Sequence, residues 1–249
     1  MIAPAAALLA LAVATEPQVF TVVIDPGHGG SKHGARSPQG DTEKALALAI
    51  AERAARRLKK EGIRVVLTRT GDIDVELVNR AAVANAIRAD LFLSIHMNSM
   101  PTRAQRRVQH GIETFFLSAD ATDASATAVA ARENADRLSG EPEIDPADPV
   151  SFILRDLGDA AALTGSSRLA YALHEELVRA TRAEDRGVKQ APFYVLAGAN
   201  MPAVLLEVGF ISHPAESARL RTREYQERIA DAIAAGVEAF RRQAHAALR

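Results

Sequence analysis

Three side chains that can bind a metal or transfer a proton come directly after apolar runs of the sequence. His28 lies beyond the first run, His96 follows a later one, and Glu207 ends another. Because ligands of open α/β sheets bind at the carboxyl ends of the strands, we expect these side chains to meet at one edge of a sheet. A further acid, Glu43, opens an amphipathic helix three residues before Leu46. It therefore lies on the sheet-facing side of that helix, near the loop of His28.

Two imidazoles and a carboxylate suit a catalytic zinc site, which keeps one position for water. Zinc lowers the pKa of that water to about 7, and a second carboxylate then serves as general base. Each residue also has a plainer interpretation: His28 as a turn residue, His96 as a buried histidine and Glu43 as a helix-dipole acid. Glu207 fits such an interpretation less well, since a charge that closes an apolar strand costs free energy unless it is paired or functional. His33, in the same loop as His28, is the reserve ligand.

The sequence motifs around these residues are more specific than the spacing of the residues alone. The blocks, in order, are VIDPGHGG at 23–30, EK at 43–44, LSIHMN at 93–98, RGVKQ at 186–190 and MPAVLLEVGFIS at 201–212. From about residue 20 to 242 the chain resembles the zinc-dependent N-acetylmuramoyl-L-alanine amidases of the amidase type 3 family. The resemblance implies zinc ligands at His28, Glu43 and His96 and a catalytic Glu207. Met97 and His213 depart from the usual family residues, but neither stands at a ligand position.

The same resemblance implies the reaction and the substrate. We expect hydrolysis of the amide between N-acetylmuramic acid and L-alanine in peptidoglycan, in cell-wall remodelling and daughter-cell separation. Two alternatives stay open: a zinc peptidase or carboxypeptidase acting on stem peptides, and a non-catalytic wall-binding regulator. Nucleic acid is not an expected partner, because 30 basic and 31 acidic residues leave no strong positive field. Without cysteine, the chain can form neither disulfides nor thiolate metal ligands.

Short apolar runs alternate with helical periodicity along the chain, which predicts a single-domain α/β fold. We expect a six-stranded, mostly parallel sheet with helices on both faces. The predicted strands are residues 20–25, 64–68, 91–95, 111–117, 193–196 and 203–207. The predicted helices span about residues 43–60, 75–88, 122–138, 165–181 and 222–242.

The stretch 118–166 is longer than a sheet crossover needs and contains a Pro-rich acidic loop. Its layout resembles the regulatory segment of division-associated amidases that need a LytM-type activator protein. In that group a carboxylate from a blocking helix can occupy the open zinc position. The resemblance makes Glu133 the first autoinhibitory candidate, with Glu141 and Glu143 behind it. A plain exposed helix and loop is the alternative.

Residues 1–14 carry no charged side chain and end in Ala-Val-Ala, the pattern that precedes a signal-peptidase cut. They predict a signal peptide, export to the periplasm or cell wall, and a catalytic domain at 20–242. A start placed upstream of the true one is the alternative, because the segment has no Lys or Arg. With about 13 apolar residues, the segment is too short to span a membrane, and no membrane span is expected.

Overall fold

The computed structural model describes residues 19–136 and 160–247, so the predicted signal peptide at 1–14 lies outside the described residues. Within those ranges the strands are β1 (Thr21–Pro26), β2 (Arg64–Leu67), β3 (Leu91–Asn98), β4 (Ile112–Leu117), β5 (Asp185–Ala191) and β6 (Ala203–Phe210). The helices are α1 (Glu43–Lys60), α2 (Leu77–Ala86), α3 (Arg103–Val108), α4 (Ala124–Asn134), α5 (Ala160–Thr181), α6 (Pro214–Leu220) and α7 (Arg223–Ala247).

The strands form one sheet in the order β2-β1-β3-β6-β4-β5. Neighbouring strands are parallel except β4 and β6, which confirms the predicted mostly parallel six-stranded sheet. The register of β3 and β6 places His96 beside Glu207. Since β1 is parallel to β3, the loop that follows β1 begins at the same edge of the sheet.

Helices cover both faces of the sheet. On one face α1, α5 and α7 share an apolar core with residues such as Ile24 and Leu93. On the other, α2 and α4 pack with residues such as Val23 and Phe92. Because both faces of the central strands are covered, their sequences are continuous apolar runs instead of alternating patterns.

The strand predicted at 193–196 is wrong. These residues form a turn after Pro192, and the fifth strand is Asp185–Ala191. The turn is apolar because it packs into the core, where Phe193 and Leu196 are almost completely buried. β5 is an edge strand of mixed polar and small residues, so it lacks the apolar run that marks a central strand. The short helices α3 and α6 were not predicted either.

Across the described ranges, no helix combines the length and apolarity that crossing a membrane requires.

Candidate metal centre

The loop after β1 holds His28 in an unusual backbone conformation. His28 has φ = 59°, in the left-handed region that costs a non-glycine residue free energy. Two buried arginines bind the backbone of this loop and keep it in place. Arg80 donates to the carbonyl oxygens of Pro26 and His28, and Arg69 donates to those of Pro26 and Gly27.

Arg80 is itself fixed by a buried carboxylate. Asp25 is fully buried and accepts hydrogen bonds from Arg80 at 2.8 Å, from Ser94 at 2.7 Å and from Thr68 at 2.5 Å. Burial alone would raise the pKa of Asp25, but the charge of Arg80 and the two hydroxyl hydrogen bonds lower it. The ionised Asp25 therefore holds Arg80 against the loop that carries His28.

Four buried side chains converge above the ends of β1 and β3. His28, Glu43, His96 and Glu133 each present a nitrogen or oxygen atom, and these atoms all lie within 4.8 Å of one another. Nε2 of His28 lies 2.9 Å from Oε1 of Glu43 and 3.5 Å from Oε2 of Glu133. Nδ1 of His96 lies 3.2 Å and 2.9 Å from the same two oxygens.

The unpaired atoms of this cluster are those a metal would bind. Within the described part of the chain, Nε2 of His28, Nδ1 of His96 and Oε2 of Glu133 are buried and make no hydrogen bond. Buried polar atoms are normally paired, so their convergence on one point needs an explanation. Imidazole nitrogens and carboxylate oxygens are donors that zinc accepts in four-coordinate sites. The residues present therefore fit a metal ion.

Backbone amides orient the carboxylate of Glu43. Its two oxygens accept from the amides of Ala35 and Met97, each at 2.9 Å. Gly27 makes room for the neighbouring imidazole, since a Cβ at that position would lie 2.5 Å from ring atoms of His96. The cluster is thus positioned by main-chain geometry on two sides.

The two imidazoles hold protons strongly when no metal is bound. Burial lowers the pKa of His96, but the charge of Glu133 and the close contacts of Nδ1 with the carboxylates of Glu133 and Glu43 raise it to about 9. Burial opposes protonation of His28 as well, yet Glu43 and Asp136 raise its pKa well above the ordinary value. A metal ion must displace these protons when it binds.

Glu207 is fully buried and lies outside the four-residue cluster. Nη2 of Arg132 lies 3.2 Å from Oε1 of Glu207, while Nε of Arg132 donates to Glu133 at 2.8 Å. Burial raises the pKa of Glu207 well above the ordinary value, and the charge of Arg132 opposes that rise. Oε2 of Glu207 makes no hydrogen bond to the described residues. This oxygen can therefore accept a proton.

The structure brings together the three residues predicted as ligands and the first autoinhibitory candidate, Glu133. The other two candidates, Glu141 and Glu143, lie outside the described residues. His33 is exposed and is not a member of the cluster.

Sequence reasoning missed Arg80, Arg132 and Asp136. A signal existed for Arg80, because helical spacing places it on the buried face of α2 with Leu77 and Ala81. The other two reach the site across 75 and 108 residues of sequence, and no local pattern marks such contacts.

Comparison with known proteins is consistent with this geometry. The family model described as Amidase_3, N-acetylmuramoyl-L-alanine amidase, matches residues 22–239. The chain is 35% identical over 221 residues to the N-acetylmuramoyl-L-alanine amidase AmiA of Escherichia coli, covering 88% of this chain and 75% of that protein.

Solved amidase structures share the fold. An N-acetylmuramoyl-L-alanine amidase from Clostridium difficile superposes with a TM-score of 0.69 at 30% identity, covering 90% of this chain and 97% of that one. AmiC2 of Nostoc punctiforme gives a TM-score of 0.68 at 29% identity, covering 90% and 97%.

Proposed function

The chain belongs to the Amidase_3 family of N-acetylmuramoyl-L-alanine amidases, and we propose that it works as a zinc enzyme whose metal is held by His28, Glu43 and His96. Its reaction is the hydrolysis of the amide that joins N-acetylmuramic acid to L-alanine in peptidoglycan. The observation that carries the zinc proposal is the set of buried, unpaired nitrogen and oxygen atoms that converge in the cluster.

The chemistry divides between the metal and the chain. Bound zinc supplies a Lewis acid and lowers the pKa of water. Nε2 of His28, Nδ1 of His96 and the Glu43 carboxylate hold it, and the amides of Ala35 and Met97 keep Glu43 in its ligating orientation. The burial of these side chains excludes competing solvent from the ligand atoms.

Glu207 carries the proton in this proposal. Oε2 of Glu207 takes a proton from the attacking water and later delivers it to the nitrogen of the departing L-alanine. The position of Glu207 beside His96 in the register of β3 and β6 supports this role, because it places the base next to a ligand. Removing a general base typically costs about 10²–10⁴-fold in rate.

The end of α4 covers the site in an inhibited arrangement. Oε2 of Glu133 points into the cluster. There it takes the coordination position that the catalytic water would need. Arg132, the preceding residue, pairs with Glu207 and occupies one oxygen of the base. Asn134 fastens the helix end by donating to the carbonyl of Pro192 and accepting from the amide of Tyr194. One short segment thus blocks both the metal and the base.

Activity then requires a partner that binds the uncovered form more tightly and shifts the population toward it. An activator protein of the LytM type fits this requirement, and it is part of the proposal, as is export to the periplasm or cell wall, where the substrate lies. The family and the relatives favour the amidase over a stem-peptide peptidase, and Glu207, which a non-catalytic wall-binding protein would not need, is present.

Digestion of purified peptidoglycan tests the zinc amidase. The test uses Glu133→Ala, which lacks the blocking carboxylate. The metal-stripped variant should be inactive, and zinc should restore release of intact stem peptides, leaving glycan whose muramic acid residues carry no peptide, as seen by mass analysis. Glu207→Gln should bind zinc and fold normally but release no product. Peptide fragments cut at other bonds would indicate a peptidase, and full activity without metal would refute the zinc proposal.

A further inference from the structure

α3 is a helix that buries none of its residues. It lies shortly after the strand that carries His96, and a capping box between Thr102 and Gln105 closes its first turn. Helices in proteins are normally stabilised by burying an apolar face, so packing does not explain α3. Its sequence, RAQRRV, contains three arginines and no acid. These side chains face outward, where a ligand can reach them.

The arginines of α3 line a groove together with residues 36–38 of the loop after His28. The groove has a volume of about 530 Å³, and we call it the arginine groove after Arg36, Arg103, Arg106 and Arg107. All four are exposed, and neither Asp nor Glu is among the described residues that line it. The whole chain has a net charge of −1, so the excess of positive charge is local to this surface.

Other arginines on the surface are matched by acids, although single exposed ones such as Arg56 and Arg64 have no acidic partner among the described residues. On α1, for example, Arg57 pairs with Glu227 and Asp231 of α7. In the arginine groove no ion pair forms between the four arginines and any described carboxylate, and Arg106 instead donates to the carbonyl of Met100. Several guanidinium groups without acidic partners on one surface are suited to bind an anion.

A second cavity is adjacent both to the arginine groove and to the cavity above the catalytic residues. It has a volume of about 610 Å³ and shares Arg106 with the groove. At its other end it shares Ser99 and Arg132 with the cavity above His28 and Glu43. Because Arg132 contacts Glu207, adjacent cavities occupy the surface between the reacting centre and the groove.

We propose that the arginine groove binds the free carboxylates of the stem peptide, and so selects peptidoglycan whose peptide is acidic. This proposal rests on the proposed function, since it places the peptide side of the scissile amide toward the groove. The stem peptide carries its carboxylates within a few residues of L-alanine, and three extended residues span about 10 Å. Guanidinium groups bind carboxylates through paired, charge-assisted hydrogen bonds. The uncharged sugars of the glycan offer no such partner.

Binding to insoluble peptidoglycan tests the proposal without using turnover. Co-sedimentation is measured with sacculi stripped of teichoic acid, in which the stem carboxylates are either native or converted to amides. The variant is Arg103→Gln/Arg107→Gln, whose side chains bury nothing in the fold. The control is Arg56→Gln/Arg64→Gln, which removes the same charge from exposed positions on α1 and β2.

Loss of two exposed ion pairs should weaken binding to native sacculi about tenfold at low salt, and less at high salt. The control should bind like the wild type, and on amidated sacculi all three proteins should bind equally weakly.

Equal binding of variant and wild type to native sacculi would overturn the proposal. So would a loss that persists on amidated sacculi. Tighter binding by the variant would overturn it too, and would assign the arginines to the chain's own acidic residues. None of these results bears on zinc-dependent hydrolysis, so failure of the groove is distinguishable from failure of the proposed function.

Discussion

Nδ1 of His28 lies 2.8 Å from Oδ2 of Asp136, a residue two positions beyond the end of α4. This contact fixes the ring so that Nε2, on its other side, points into the four-residue cluster. The carboxylate that orients a ligand therefore comes from the same segment that places Glu133 in the cluster. The proposed zinc site and the segment that covers it are thus coupled through Asp136.

Asp136→Ala should weaken zinc binding about 10- to 100-fold, the usual cost of removing a carboxylate that orients a metal-bound histidine. Competition with a chelator of known affinity measures the change. Asp120→Ala, which removes an exposed acid from the loop before α4, should leave zinc affinity unchanged. Equal zinc affinity in wild type and Asp136→Ala would show that the contact does not position His28.

Glu133→Ala should raise basal hydrolysis of peptidoglycan about tenfold or more. The substitution removes the blocking carboxylate from the cluster and leaves Arg132 with one acidic partner fewer. Dye release from labelled sacculi measures the rate. Asn134→Ala should also raise it, since this variant detaches the helix end without touching the cluster.

Thr127→Ala, on the exposed side of α4, is the control and should match the wild type. If neither Glu133→Ala nor Asn134→Ala gains activity while both still bind zinc, α4 does not inhibit the enzyme.

The origin of each contact decides how far it was predictable. His28 follows β1, and His96 and Glu207 lie in the carboxyl-terminal halves of β3 and β6, which run past the strand ends predicted at 95 and 207. Chain order with parallel pairing is enough to bring these strand ends to one edge. Glu43 was found because an acid in the first turn, three residues before an apolar stripe, has a defined direction. The fifth strand was misplaced because burial of Phe193 in a turn produces the same apolar run as a strand. The pairing of Arg132 with Glu207 depends on how α4 packs, which local sequence does not encode.

Arg80→Gln should destabilise the metal-free protein by about 3–5 kcal/mol, because it leaves the buried charge of Asp25 without its partner. Urea denaturation in the presence of a chelator measures the free energy of unfolding. Arg88→Gln, an exposed change just after α2, should cost little. A loss below about 1 kcal/mol for Arg80→Gln would mean that Asp25 does not depend on this ion pair.

Zinc affinity should rise with pH between about 6 and 9. The folded, metal-free protein holds protons on His96, whose pKa is about 9, and on His28, whose pKa is also raised. Zinc must displace these protons, so its binding is weakest where they are held. The stability of the metal-free protein has the opposite pH dependence: it falls as pH rises. The raised pKa values stabilise the fold below about pH 6.5, and this contribution disappears as pH rises through about 9.

Calorimetric titration with zinc in buffers of different ionisation enthalpy counts the released protons at pH 7. Release of one or two protons is expected, with less release from Glu133→Ala, which loses the charge that most raises the pKa of His96. Zinc binding without proton release would contradict the assignment of these imidazoles as ligands.

A crystal structure of the zinc-loaded chain, with anomalous data collected on both sides of the zinc absorption edge, tests the metal centre most directly. We predict one anomalous peak from a single zinc ion. The ion should lie about 2.0–2.2 Å from Nε2 of His28, Nδ1 of His96 and a carboxylate oxygen of each of Glu43 and Glu133. A zinc ion held by other residues, or no peak among these four at full zinc loading, would contradict the proposal.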